Sequence, residues 1–383
     1  MGLNNRREFE IHLKKKIIDD PVLGKLMYEE YDSDETCNFD KNENVCNLPF
    51  GDVEIQSNGN VYLCCPGWNP ASIGNLLEED MHSIWNNEKA RVVRESMTDG
   101  SYRYCNAKTC PSMIAGGGDR IIPKSTFVDP KLEFPKNMAF SVDNTCNLIC
   151  PSCRTYKIIT LEAEAHQRAL KILRTAFGSV FKEPHNQPIT LTFDGVGEIF
   201  FSPVYREIFE TEEVFKHPEK WPEFRTVLCT NGTMMTEKIQ QKYSILFERS
   251  IGVRLSIDAG NKESYEKVRC GGDWDLLWQN IDYLYENTLQ HDTSKSWAWN
   301  VILQEDNFES IVDLVKLAYK YPNNLPDIYI VNMLNWGTYS QSDFDKKAVW
   351  FTGSPNYNRA KEILALPELV NYPKIFIPNL NLR

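Results

Sequence analysis

The chain lacks any apolar run long enough to span a membrane, and its N-terminus, "MGLNNRREFEIHLKKKIIDD", has no apolar core of signal-peptide length. A soluble cytoplasmic protein with no membrane partner is the expectation. Gly2 follows the initiator Met, but Arg6 stands where a myristoylation signal needs Ser or Thr. A basic excess is also missing. The 42 Lys and Arg face 53 Asp and Glu, a formal net charge of -11, which argues against a broad surface for nucleic acid. There is no internal repeat and no low-complexity segment. What remains is an ordinary globular composition: 383 residues, 42% hydrophobic, enough for one large domain and a smaller one.

The abundance is in cysteine. In a reducing cytosol, eleven cysteines argue for metal binding or catalysis rather than a disulfide framework. Their positions are uneven: Cys37, Cys46, Cys64, Cys65, Cys105 and Cys110 form one group, Cys146, Cys150 and Cys153 another, and only Cys229 and Cys270 stand apart. Two groups imply two metal sites.

The organisation along the chain agrees with that division. Residues 1–35 read as a charged leading helical extension, and residues 36–115 as a loop-rich, metal-stabilised module with short strands "DVEIQS" and "NVYLCC" around the turn "SNGN". A glycine-rich linker, "AGGGDR" and "PKSTF", occupies 116–135. From 136 to 345 six apolar runs, "NMAFSVD", "PITLTFDG", "FRTVLCTNG", "IGVRLSIDA", "SWAWNVILQ" and "PDIYIVNML", alternate with helical stretches. That rhythm implies a parallel sheet, and the length suits an incomplete barrel better than a full one. Residues 346–383 are a C-terminal extension. The fold class expected is α/β, a partial (βα)6 TIM-type barrel with a small N-terminal cysteine-rich module.

Cys146, Cys150 and Cys153 follow C-x3-C-x2-C in a loop after the first of these strands. Three thiolates on one short loop can hold three irons of a 4Fe-4S cubane and leave the fourth open to a ligand the protein does not supply. Zinc is the alternative, but structural zinc closes with four ligands, and no fourth Cys or His lies close by in sequence.

These residues resemble the radical SAM superfamily, whose hallmark is this cysteine loop after the first strand of a partial (βα)6 barrel. The resemblance covers about 136–340. "DGVGE" at 194–198 is similar to the family's GGE-type motif, which implies that Gly195, Gly197 and Glu198 hold the amino group of S-adenosylmethionine (SAM). "SID" at 256–258 resembles the motif contacting the cofactor's carboxylate and ribose, which implies roles for Ser256 and Asp258, with Arg269 as a further charge partner. A Ser and an Asp at a strand end are also common helix caps. One departure is Ser152, which stands where many members carry an aromatic residue against the adenine.

The N-terminal group resembles SPASM/Twitch modules, which bind auxiliary 4Fe-4S clusters through C-x(9 to 15)-G-x4-C followed by further cysteines. Here Cys46, Gly59, Cys64, Cys105 and Cys110 carry the pattern, Cys37 and Cys65 are possible substitutes, and the one-cluster Twitch form fits best. Four thiolates also suit zinc. The module precedes the barrel, whereas it usually follows it.

The resemblance implies reductive cleavage of SAM, by an external reductant such as flavodoxin or ferredoxin, to a 5'-deoxyadenosyl radical that abstracts hydrogen from substrate. A small polar, sugar-like or cyclitol-like substrate, oxidised or epimerised, is the first expectation, because residues 1–35 are too short for a leader-binding domain. Peptide or protein modification is the alternative, and a non-enzymatic electron carrier a further one. Cys270, in "VRCGGDW", is an expected hydrogen donor, with packing as the competing role. The aromatic residues of "WAWNVILQ" and "MLNWGTYS" read equally as barrel mouth or as core.

Overall fold

The computed structural model describes residues 13–31, 37–107, 109–193 and 196–377. They divide into two compact units. The residues up to Val142, with Lys171–Glu183, form the first, and Asp143–Leu170 with those from Pro184 onward form the second.

The first unit begins with a hairpin where a helix was expected. Strands β1 (Leu13–Asp20) and β2 (Gly24–Tyr31) run antiparallel, pairing Lys14 with Glu30 and Lys15 with Glu29. The reason is local. Asp20 Oδ1 accepts the amides of Val22 and Leu23, each at 2.9 Å, Pro21 cannot donate, and Gly24 adopts φ 73°, so the segment turns back instead of continuing as a helix. The cysteine-rich module follows, with β3 (Asn44–Cys46), β4 (Asp52–Gln56), β5 (Asn60–Tyr62) and β6 (Ser72–Asn75). Gly59 closes the β4–β5 hairpin at φ 88°, a conformation in which a side chain would strike Asn75 and Leu77.

Part of the expected linker belongs to this module. Strand β7 (Ile121–Pro123) pairs with β3, Val45 opposite Ile122, and Trp85 Nε1 donates to Leu132 O at 2.9 Å. The first of the six expected strands is β8 (Asn137–Ser141), and it pairs in parallel with β4 over five registered residues. Its Phe140 stacks on Phe177 at 5.6 Å.

The second unit is mixed α/β around a parallel sheet. Strands β9 (Ile189–Phe193), β10 (Phe224–Thr230), β11 (Ser250–Ser256), β12 (Ser296–Leu303), β13 (Asp327–Asn332) and β14 (Ile375–Phe376) lie side by side in that order, every pairing parallel. The short β14, inside the C-terminal extension, was not foreseen.

The two faces of this sheet differ. One carries Leu191, Phe193, Leu228, Val253, Leu255, Trp297, Trp299, Ile328 and Ile330, all buried. Helices cover it: Phe193 meets Phe209 edge-on at 4.9 Å, and Trp299 meets Trp278 at 5.3 Å. Trp297 and Trp299 are therefore core, which decides that sequence alternative for the "WAWNVILQ" segment. The other face carries Thr192, Cys229, Arg254, Ser256, Asn300 and Tyr329, none of them buried. A parallel sheet is ordinarily apolar on both faces, so a polar, accessible face marks where a ligand belongs. Among the described residues no helix is long and apolar enough to cross a membrane.

Candidate functional site

The cysteine loop leaves β8 and is pinned from three directions. Cys146 N–H donates to Ile158 O (2.8 Å) and Ile149 N–H to Cys270 O (3.0 Å), while Thr145 O accepts from Glu198 N (2.8 Å). Arg154 clasps the loop to the β9 end, donating to Asn144 O at 2.9 Å and Val196 O at 2.6 Å. Gly197 packs directly on the chain before Cys146, where a Cβ would lie 2.5 Å from Asp143 O and 2.6 Å from Thr145 O. Close main-chain packing is what this glycine permits here. Gly195 lies outside the described residues.

Cys146, Cys150 and Cys153 line one cavity, together with Arg154, Gly197, Cys229, Asn231, Ser256, Arg269 and Asn300. Each of the three sulfurs meets an N–H from a different element. Asn231 Nδ2 and Leu148 N approach Cys146 Sγ at 3.8 and 3.4 Å, Arg269 Nη1 approaches Cys150 Sγ at 3.8 Å, and Arg154 Nη2 approaches Cys153 Sγ at 3.7 Å. Donors of this kind favour thiolate over thiol and stabilise negative charge on cluster sulfur. Burial works the other way and pushes the Cys150 thiol up to about 11, against the pull of Arg269. A cationic metal centre removes that penalty by taking the thiolate as ligand.

The two acidic residues singled out in the sequence support this arrangement from behind the cavity wall. Glu198 is fully buried: Oε1 accepts from Thr230 Oγ1 at 2.6 Å and Oε2 from Asn231 N at 2.6 Å. Burial raises its pKa while these hydrogen bonds oppose the rise. Asp258 sits in the left-handed region at φ 66°. It accepts Ile302 N–H at 2.7 Å and lies 2.8 Å from Arg269 Nε, an ion pair whose Nε–H is not directed at the carboxylate. Burial disfavours the Arg269 charge, and Asp258 and Cys150 more than offset it, so the guanidinium is held charged. Ser256 lies on the cavity wall itself.

Cys270 holds the loop through its carbonyl, and its thiol turns back to donate to Lys267 O at 3.2 Å. It is not among the residues that line the cavity, whereas Cys229, unassigned from sequence, is. Its signal was there to read: it occupies the penultimate position of a strand, three residues before Gly232. Among the described residues no cavity-lining side chain is aromatic, in keeping with Ser152 before the third cysteine.

In the first unit, Cys46, Cys64, Cys105 and Cys110 line a second cavity with Leu48, Pro49, Met97, Tyr102, Met113 and Ile121. Cys37 and Cys65 do not. Cys37 packs on the same apolar cluster as Cys46, Cys105 and Cys110, its thiol donating to Phe39 O at 3.5 Å, and the Cys65 sulfur is engaged by the amides of Gly67 and Trp68. Cys46 is pushed up to about 11 by burial first and by its neighbour Cys110. Cys64 and Cys105 are raised well above the ordinary value by burial and by the thiols around them. These four sulfurs share one cavity, and a cationic centre there would relieve both the burial and the mutual repulsion. Among the described residues no three His, Cys, Asp or Glu side chains are grouped to hold a single metal ion.

Residues 46–111 match the family model of SPASM, an iron-sulfur cluster-binding domain. Residues 46–111 thus carry a SPASM-type iron-sulfur cluster-binding domain. A curated relative, GTP 3',8-cyclase of Clostridium perfringens, is 27% identical over 114 residues, 30% of this chain and 33% of its own length. Among solved structures, SuiB of Streptococcus suis bound to S-adenosylmethionine aligns at TM-score 0.40 and 14% identity, covering 65% of this chain and 52% of that one. Native anSMEcpe with bound AdoMet aligns at TM-score 0.39 and 16% identity, covering 63% of each. The chain spans about a third of the curated relative and about half of SuiB. The matched domain binds an iron-sulfur cluster, and the four thiols around the apolar cavity fit it.

Proposed function

We propose that the protein is a radical SAM enzyme that cleaves SAM at the Cys146–Cys150–Cys153 site and modifies a peptide or protein segment. The observation that carries the reading is that all three sulfurs share one accessible cavity and each receives its own N–H donor. When bound, the cluster and SAM supply reductive formation of a 5'-deoxyadenosyl radical, which takes hydrogen from substrate.

The chain's residues position and shield. Arg154, Asn231 and Arg269 orient the sulfurs. Gly197, Ser256 and Asn300 form the wall available to SAM. Glu198 and Asp258 act through others, the first fixing Thr230 and Asn231, the second fixing Arg269. The four thiols of the SPASM module would hold the auxiliary cluster, and an external reductant such as flavodoxin or ferredoxin would supply the electron.

Two features favour a peptide over the sugar-like substrate first expected. The module matched is SPASM, whose bearers largely modify peptides. The second unit also leaves Tyr156, Ile159, Val196, Leu334 and Trp336 exposed, on segments that follow the cysteine loop, β9 and β13. Exposed apolar side chains at the C-terminal ends of parallel strands suit contact with an extended chain.

Anaerobic reconstitution with iron and sulfide, followed by reduction in the presence of SAM, tests the proposal. Wild type should form 5'-deoxyadenosine and the Cys146→Ala, Cys150→Ala, Cys153→Ala triple variant should form none. Equal formation by both would end the reading.

A further inference from the structure

Arg254 lies on the accessible face of β11, two residues before Ser256 of the cofactor cavity, and is itself exposed. Its surroundings are unusual for an arginine in a chain with more carboxylates than cations. It makes no ion pair or side-chain hydrogen bond with any described residue. By contrast, Arg225 donates to Pro222 O and Phe224 O, and Arg249 to Pro222 O.

The strand registers show what stands beside it. Cys229 is its partner on β10 and Ala298 its partner on β12. Along its own strand the same face continues to Gly252 and Ser256, since side chains alternate with period two. All four immediate neighbours are small. A Cβ at Gly252 would meet nothing nearer than Ser296 O at 3.6 Å, so no packing demand keeps that position bare. Its neighbours Cys229 and Ser256 also line the three-cysteine cavity, so Arg254 lies on the sheet face beside that cavity.

We infer that Arg254 anchors the substrate by taking a carboxylate side chain of the peptide in its planar fork, next to the site where hydrogen is removed. The inference rests on the peptide-modifying reading above and narrows it to acidic segments. An accessible guanidinium with no ion-pair or hydrogen-bond partner among the described residues presents two parallel N–H donors that match a carboxylate. A phosphate suits the place less well. Asp327, ion-paired with Lys374 at 3.8 Å, lies on the same face, registered to Ala298, and adds negative charge beside a dianion. Asp327 and Arg254 act in opposite senses on the phenol of Tyr329, which places both charges near it.

The test is arginine labelling of the anaerobically reconstituted protein with phenylglyoxal, followed by peptide mapping. Three probes are compared at equal concentration: a blocked Ala-Glu-Ala tripeptide, its Ala-Gln-Ala counterpart, and inorganic phosphate. Arg254 should be labelled in the free protein, and the Glu peptide should slow that labelling severalfold while the Gln peptide leaves it unchanged. The inference is overturned if Arg254 resists labelling without a probe, if the Glu peptide gives no protection, if the Gln peptide protects equally, or if phosphate protects as well as the Glu peptide. Labelling does not depend on SAM cleavage, so failure here and failure to form 5'-deoxyadenosine are separate results.

Discussion

The two cysteine sets place sulfur in opposite surroundings. In the second unit three sulfurs come from eight consecutive residues, face a cavity shared with polar side chains, and each meets an N–H. In the first unit four sulfurs are gathered from across 65 residues, Cys46 to Cys110, into a cavity walled by Leu48, Pro49, Met97 and Met113. Few donors reach them: Asn69 Nδ2 approaches Cys105 Sγ at 4.0 Å, and the Leu48 amide reaches Cys46. The polar, three-sulfur site suits exchange of an outside ligand. The apolar, four-sulfur site suits a closed centre that stays put, since burial and solvent exclusion rather than ligand entry shape its properties.

The largest effect that could break this contrast is the triple alanine change at Cys146, Cys150 and Cys153. It should abolish 5'-deoxyadenosine formation yet leave the N-terminal iron, measured as about half of the wild-type iron and sulfide, because the two sites belong to separate units. Next comes Cys105→Ser, which should remove the N-terminal iron alone. An equimolar zinc there in the wild type, the other centre that four thiolates accept, would overturn the auxiliary-cluster assignment.

Asp258→Asn sharpens the comparison from the polar side. It strips Arg269 of its buried partner and should cost about 3 to 5 kcal/mol in denaturant unfolding, the usual penalty for breaking a buried pair. Glu198→Gln is milder, about 1 to 3 kcal/mol, because the amide keeps some of the contacts to Thr230 and Asn231. It also carries a pH signature. The folded pKa of Glu198 is raised above its ordinary 4.5, so the stability tied to its protonation is present below that value and is lost as pH rises through the folded pKa. The difference between wild type and variant should follow that trend, and a pH-independent difference would remove Glu198 from it. The smallest effect is Arg154→Gln. It should move the barrel cluster's midpoint potential to more negative values without loss of iron, at under about 1 kcal/mol of stability, since its contacts are solvent-accessible.

Much of this was legible in one dimension. Six apolar runs became strands β8 to β13, and the G-x4-C signature became a hairpin with Gly59 at φ 88°. The four cysteines chosen for the N-terminal site are the four that share its cavity. Other readings gave way for identifiable reasons. The leading segment has charged residues that fit either a helix or a strand, and the turn at Asp20–Gly24 decided for a hairpin. Trp297 and Trp299 differ from Asn300 only in which way the strand points them, and that is set by the helices packed on one face. The acid of "GVGE" is buried among Thr230 and Asn231, partners more than 30 residues away in sequence.

By itself the sequence determined that the cysteines fall into two groups, and that one group of three lies on a loop after a strand. Those facts depend on spacing, which is local. Only the tertiary structure decided which side chains attend the sulfurs, that Cys229 rather than Cys270 lines the cavity, and that Arg254, among small neighbours, has no ion-pair or hydrogen-bond partner among the described residues. Such relations are set by strand register and sheet face, where a shift of one residue exchanges every inward group for its outward neighbour.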